Sequence, residues 1–161
     1  LSNSYLYKHI RVQGGAYGGM SSFDPMQGVF AFMSYRDPHI AGTLKVYDEA
    51  RKFYSENDMT SGDLEKAIIS SLGALDKPMD PEGRGYVAMA RYFSGLTDQM
   101  RQALRDQIFA AEPRQIRETL AGYFAKAAPE AAVAVYAAQE KLEEANKSLE
   151  RPLDIEKLTE V

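Results

Sequence analysis

The stretch from Arg11 to Pro38 constrains the chain more than any other. It reads Arg11-Val12-Gln13-Gly14-Gly15-Ala16-Tyr17-Gly18-Gly19, then a short apolar segment, then Gly28-Val29-Phe30-Ala31-Phe32-Met33-Ser34-Tyr35-Arg36-Asp37-Pro38. Four glycines surround one tyrosine, and an arginine lies six residues upstream of it. Glycine accepts φ > 0 and lets another backbone come close. A helix can therefore stop at Gly14, cross a tight connection and enter a strand. Asp24-Pro25-Met26-Gln27-Gly28 is turn chemistry. The spacing predicts strands over 19–23 and 29–35, joined as an antiparallel hairpin. A bare loop beside an Arg and a Tyr is also a place where a peptide could lie; the plainer alternative is a solvated Arg11 and a packed Tyr17 beside an ordinary helix stop.

On either side the pattern is helical. Asn3 or Ser4 can cap a first helix reaching Gln13, with Tyr5, Leu6, His9 and Ile10 at helical spacing. Asp37-Pro38 reads as N-cap and first helical position, and Ile40, Leu44, Tyr47 and Tyr54 mark the inner stripe that follows. Thr60 and Asp63 resemble a capping box ahead of the amphipathic series Leu64, Ala67, Ile68, Ser71, Leu72 and Leu75. Asp80-Pro81, Thr97 and Pro113 start three further helices; Met100, Leu104 and Ile108 are expected inward on the second, and Ile116, Leu120 and Phe124 on the third. The Val/Tyr content of 131–137 favours a buried strand there, 139–149 a last helix, and 153–158 a short edge strand. The order of elements predicts an α+β fold: a mostly antiparallel sheet with helices packed on one face. Three or four strands make a thin sheet, so this is expected to be a single, partial domain over 1–161.

Composition narrows the function classes. A net charge of −4 argues against general nucleic-acid affinity. No apolar run approaches the ~20 residues of a membrane span, and no export signal is visible. There is no cysteine, so neither a thiol nucleophile nor a thiolate metal site is available. The only histidines, His9 and His39, stand in no H-x-x-H or H-x-x-E-H frame, and no metal site is expected in this chain. No G-x-S-x-G elbow frames a serine, and the glycine run lacks the Lys-Ser/Thr of a phosphate loop. Arg11 and Tyr17 remain. An arginine fork and a phenolic hydroxyl can polarise a carbonyl or steady an oxyanion, but cannot generate a nucleophile. They amount to half a site.

The paired motifs Arg11–Gly19 and Ser34-Tyr35-Arg36-Asp37-Pro38 resemble the C-terminal part of the presequence-degrading branch of the insulinase/pitrilysin family of zinc metallopeptidases. The resemblance is sharpest over 5–48, weaker over 63–75, 96–108 and 133–149, and extends over essentially the whole chain. It implies four related α+β domains in two hinged halves around a peptide chamber. The N-terminal half would hold zinc through an inverted H-x-x-E-H motif. The C-terminal half would supply an Arg and a Tyr to the scissile peptide, here Arg11 and Tyr17 as catalytic residues, with Gly14, Gly15, Ala16 and Gly18 as substrate-binding positions. The chain, beginning at Leu1, would be most of the fourth domain. Its partners would be the N-terminal catalytic half of the same polypeptide and peptide substrates, with no nucleic acid or membrane. The compartment would be the cytoplasm in a bacterium, or the mitochondrial or plastid matrix in a eukaryote. A cut domain is expected to self-associate, with Phe30, Phe32 and Tyr35 as candidate bare surface. The competing reading is a non-catalytic structural or interaction module of the same fold; a separate serine hydrolase has no positive support.

Overall fold

The computed structural model describes residues 2–25 and 27–157. The fold is α+β and divides into two compact units, one comprising Leu1–Ser55 with Tyr123–Val161, the other Glu56–Gly122. The expected turn residue Met26 lies outside the described residues, as do residues 158–161 and the side chains of Asn3 and Ser4.

The first unit opens with a π-helix, Ser2–Gln13, followed by β1 (Gly18–Asp24) and β2 (Val29–Tyr35). The strands pair antiparallel from Gly18 opposite Tyr35 to Asp24 opposite Val29. The turn between them forms as its residues dictate: the Asp24 carboxylate accepts from the Gln27 amide at 3.2 Å, and Gly28 sits at φ +67°. Because side chains alternate across a strand, the register puts Gly19, Ser21, Phe23, Phe30, Phe32 and Ser34 on one face. Helices cover the middle of that face, while Phe23 and Ser34 stay exposed. Ile10 of the π-helix lies against Gly19, Tyr47 stacks on Phe32 at 5.1 Å, and Phe124 meets the ring of Phe30 at 5.3 Å. The opposite face carries Met20, Val29, Met33 and Tyr35, all exposed. Of the three expected bare residues, only Tyr35 is therefore on the open side; Phe30 and Phe32 are half-buried under the helices.

Leu6, Ile10, Ala16 and Ala50 form the buried cluster at the centre of this unit, with Tyr5, Phe32, Val46 and Tyr47 packed around it. Helix α1 (Ile40–Glu56) starts later than Asp37-Pro38 implies. Asp37 instead braces the entry: its carboxylate accepts from the His39 amide at 2.9 Å and the Thr43 hydroxyl at 2.6 Å.

Two predicted strands do not form. Residues 131–138 pair with no strand among the described residues, and Val133 and Tyr136 are exposed. Strand propensity reflects packing on a pleated, half-buried surface, and this segment has none here. The edge strand expected at 153–158 is replaced, over its described part, by a side-chain clasp. Asn146, at the end of α6 (Gln139–Asn146), donates to the Leu153 carbonyl at 2.9 Å and accepts from the Leu153 amide at 2.8 Å. Both groups of Leu153 are thereby satisfied without a ladder. Asn146→Ala removes both bonds at a part-buried place, and should lower stability by about 1–2 kcal/mol in urea denaturation. An unchanged midpoint would show that the clasp is idle.

The second unit is built from α2 (Ser61–Leu75), α3 (Pro81–Ser94), α4 (Asp98–Phe109) and the first turns of α5 (Pro113–Ala127). Their starts follow the sequence. Thr60 accepts from the Asp63 amide, Asp80 from Gly83 with Pro81 behind it, and Thr97 from Met100. Gly95 closes α3 at φ +70°. The apolar stripe of α2 is half-buried, but Met100 and Leu104 of α4, expected inward, are exposed. Arg105 of α4 forms a two-pronged bond at 2.6 Å to Asp76, the residue closing α2, and its guanidinium holds that carboxyl below its ordinary value of 3.8.

Candidate functional site

The site begins where the π-helix ends. The Arg11 carbonyl accepts from the Gly15 amide and the Ile10 carbonyl from the Ala16 amide, both at 3.1 Å, closing the last turn as a glycine-type helix stop does. Gly15 sits at φ +73°, a conformation that L side chains resist. Ala16 then turns its methyl into the core, where it is 4% exposed. The Tyr17 amide donates to the Tyr35 carbonyl at 3.1 Å, so the hairpin starts one residue after the buried alanine. A Cβ on Gly19 would meet Ile10 Cβ at 2.9 Å, so only glycine lets β1 lie this close to the helix.

This path brings Arg11 and Tyr17 together. The Arg11 guanidinium lies 5.4 Å from the centre of the Tyr7 ring and 6.0 Å from that of Tyr17. Tyr17 meets Tyr35 edge-on at 5.8 Å and 88°, and the Arg36 guanidinium stands 5.4 Å from the Tyr35 ring. Tyr7, Tyr17 and Tyr35 are 47%, 65% and 53% exposed. The result is an exposed strip in the order Tyr7, Arg11, Tyr17, Tyr35, Arg36. Cation–π attraction limits where the Arg11 fork can go while leaving its N–H donors outward. Among the described residues, no side-chain hydrogen bond or ion pair engages Arg11 or Tyr17, and their donors remain open for a carbonyl or an anion.

Gly14, Gly15 and Gly18 flank these two side chains; the contribution of Ala16 is confined to its backbone, since its methyl is core. Tyr7 and Arg36, which the motif reading assigns no role, stand in the same strip. Tyr7 sits four residues before Arg11, the spacing of helical neighbours, which was the available signal. On the covered face, Tyr47 lies beneath Phe32; burial pushes its phenol up, opposed by the nearby Ser34 hydroxyl and reinforced by Asp37.

His9 packs on Tyr5 with ring centres 4.3 Å apart, and His39 lies exposed ahead of α1. Among the described residues no three His, Asp or Glu side chains gather as a metal site would require. What the strip can do is bind a peptide group and stabilise negative charge on it.

Comparison with known proteins identifies the family. The model of the PreP C-terminal domain matches residues 1–126. The chain is 38% identical over 118 residues to presequence protease 1, chloroplastic/mitochondrial, of Arabidopsis thaliana, covering 73% of this chain and 11% of that protein. It is 38% identical over 108 residues to the mitochondrial presequence protease of Yarrowia lipolytica, covering 67% and 11%, and 37% identical over 112 residues to that of Xenopus tropicalis, covering 68% and 10%. The matched region spans about a tenth of the length of these relatives. With its helix stop, hairpin and Arg–Tyr pair lying inside the matched residues, the chain belongs to the presequence protease C-terminal domain family.

Proposed function

We propose that this chain is the C-terminal fragment of a zinc-dependent oligopeptidase that degrades unfolded peptides in an enclosed chamber. In this reading residues 1–161 belong to one partial domain. Arg11 and Tyr17 bind the scissile peptide and stabilise the charge that develops on its carbonyl oxygen. Gly14, Gly15, Ala16 and Gly18 offer low, side-chain-poor backbone beside it. The observation that carries the proposal is the Arg11 fork held at the Tyr7 and Tyr17 rings, with its donors and the Tyr17 hydroxyl unengaged among the described residues. The zinc and the nucleophilic water belong to the N-terminal half of the same polypeptide, which is the chain's principal partner. The exposed Met20, Val29, Met33 and Tyr35 supply apolar surface for contact with that half, and for self-association when the fragment stands alone. No described helix is long and apolar enough to cross a membrane, and nucleic acid is not among the proposed partners. The names of the relatives support the mitochondrial or plastid matrix for a eukaryotic source, and the cytoplasm is proposed for a bacterial one.

Turnover of a fluorogenic peptide tests this. The full-length polypeptide bearing this chain should hydrolyse it in a chelator-sensitive way, and the 161-residue chain alone should neither hydrolyse it nor bind zinc tightly. Chelator-sensitive turnover by the pure fragment would overturn the division of labour. A full-length polypeptide without peptidase activity would select the non-catalytic module instead.

A further inference from the structure

The strip runs beyond Tyr17 to Arg36, which the proposed carbonyl-binding role does not use. Arg36 is the one non-glycine residue at positive φ among the described residues, at φ +49°. That region strains an L-residue and would not strain a glycine. Its neighbours impose the bend. The Tyr35 carbonyl accepts from the Tyr17 amide, and Asp37 is bound to the His39 amide and the Thr43 hydroxyl. Asp37, adjacent in sequence, is thus committed to the start of α1, and no carboxylate among the described residues pairs with Arg36. The side chain lies instead along the Tyr35 ring, exposed.

Two open guanidinium groups therefore stand at the two ends of a tyrosine pair, on a chain whose net charge is −4. The steps of 6.0, 5.8 and 5.4 Å between successive centres put the two guanidinium carbons no more than about 17 Å apart, the reach of about five residues of extended peptide. Planar arginine forks match carboxylates, and a ring behind the fork restrains it before the ligand arrives.

We propose that Arg36 is a second substrate-positioning residue, holding a carboxylate of the bound peptide within about five residues of the bond presented to Arg11 and Tyr17. The inference rests on the reading of Arg11 and Tyr17 as the pair facing the scissile bond. The carboxylate is supplied by the peptide's own C-terminus or by an Asp or Glu side chain.

Two pairs of fluorogenic peptides distinguish those sources in the full-length peptidase. One pair differs only in a free or amidated C-terminus, the other only in Glu or Gln at one position, each change within five residues of the cleaved bond. Wild type should favour the carboxylate member of at least one pair by about three- to tenfold in kcat/KM, expressed in KM. Arg36→Gln should bring that ratio to about one, and Arg36→Lys should retain part of it because charge survives without the fork. Arg36→Gly removes the charge while relieving the backbone, so it should lose the preference without losing melting temperature, which a merely structural Arg36 would not do. Unchanged ratios for both pairs in Arg36→Gln and Arg36→Gly would overturn the inference. Failure of the underlying reading looks different: Arg11→Ala would then leave kcat unaltered on all four peptides.

Discussion

Arg11→Ala in the full-length polypeptide is expected, on the proposed role, to lower the single-turnover rate of peptide cleavage by about 10²–10³-fold, the loss typical of one preorganised oxyanion donor. Tyr17→Phe should cost less, because the ring that faces the Arg11 guanidinium remains and only the hydroxyl goes. On the proposed role both effects should appear mainly in kcat, since the charge the pair would meet grows as the tetrahedral intermediate forms. Stability should change little. Arg11 is exposed and its contacts to the Tyr7 and Tyr17 rings contribute about 0.5–1 kcal/mol each at most at such a surface. If the pair were only structural, melting temperature would fall while the rate per folded molecule stayed constant. Measuring both on the same variants decides between these outcomes. Wild-type single-turnover rates in both variants would remove the catalytic assignment, even with family membership intact.

The largest stability effect is expected at Ile10. It is 1% exposed, lies in the cluster with Leu6 (0% exposed), Ala16 and Ala50, and approaches Gly19 so closely that a methyl there would collide with it. Ile10→Ala should lower unfolding stability by about 2–5 kcal/mol, the transfer loss plus the cavity left behind. Gly19→Ala alone should cost about 1–3 kcal/mol, because a Cβ at 2.9 Å from Ile10 Cβ forces the helix and strand apart. The double variant removes the close approaches to Ile10 Cγ2 and Cδ1, at 3.0 and 3.1 Å, and keeps only the one to Cβ. Its loss should therefore fall short of the sum of the singles by about 0.5 kcal/mol or more. Strict additivity in urea denaturation would contradict the proposed contact. Because Ile10 also carries the carbonyl that bonds the Ala16 amide, loosening it should disturb the helix stop that presents Arg11.

That link between core and site explains why the Arg–Tyr pair could be found from the sequence but its surroundings could not. Arg11 and Tyr17 are six residues apart with the glycines between and just after them, so the motif is legible in the sequence alone. Tyr35 and Arg36 reach Tyr17 only because β2 pairs with β1 in a register that ends at Gly18 opposite Tyr35. Arg36 looks, in sequence, like a charge next to a helix cap. Its open fork and positive φ emerge only when Asp37 is seen to be engaged elsewhere.

The same division runs through the fold. The sequence by itself determined the hairpin and its turn, the helix starts at Thr60, Asp80-Pro81, Thr97 and Pro113, and the helix stop at Gly14. Each rests on a side chain meeting its own backbone within about three residues, or on a dihedral one residue type favours, so local chemistry suffices. It also set Leu6 and Ile10 at helical spacing on one face, and both are buried. Tertiary structure decided the rest. Residues 131–138 have strand composition, yet a strand exists only with a partner; the backbone of Leu153 is claimed by Asn146 rather than by a sheet edge. Met100 and Leu104 keep helical spacing but are exposed, because periodicity shows which face is apolar, and only a packed neighbour determines whether that face is covered.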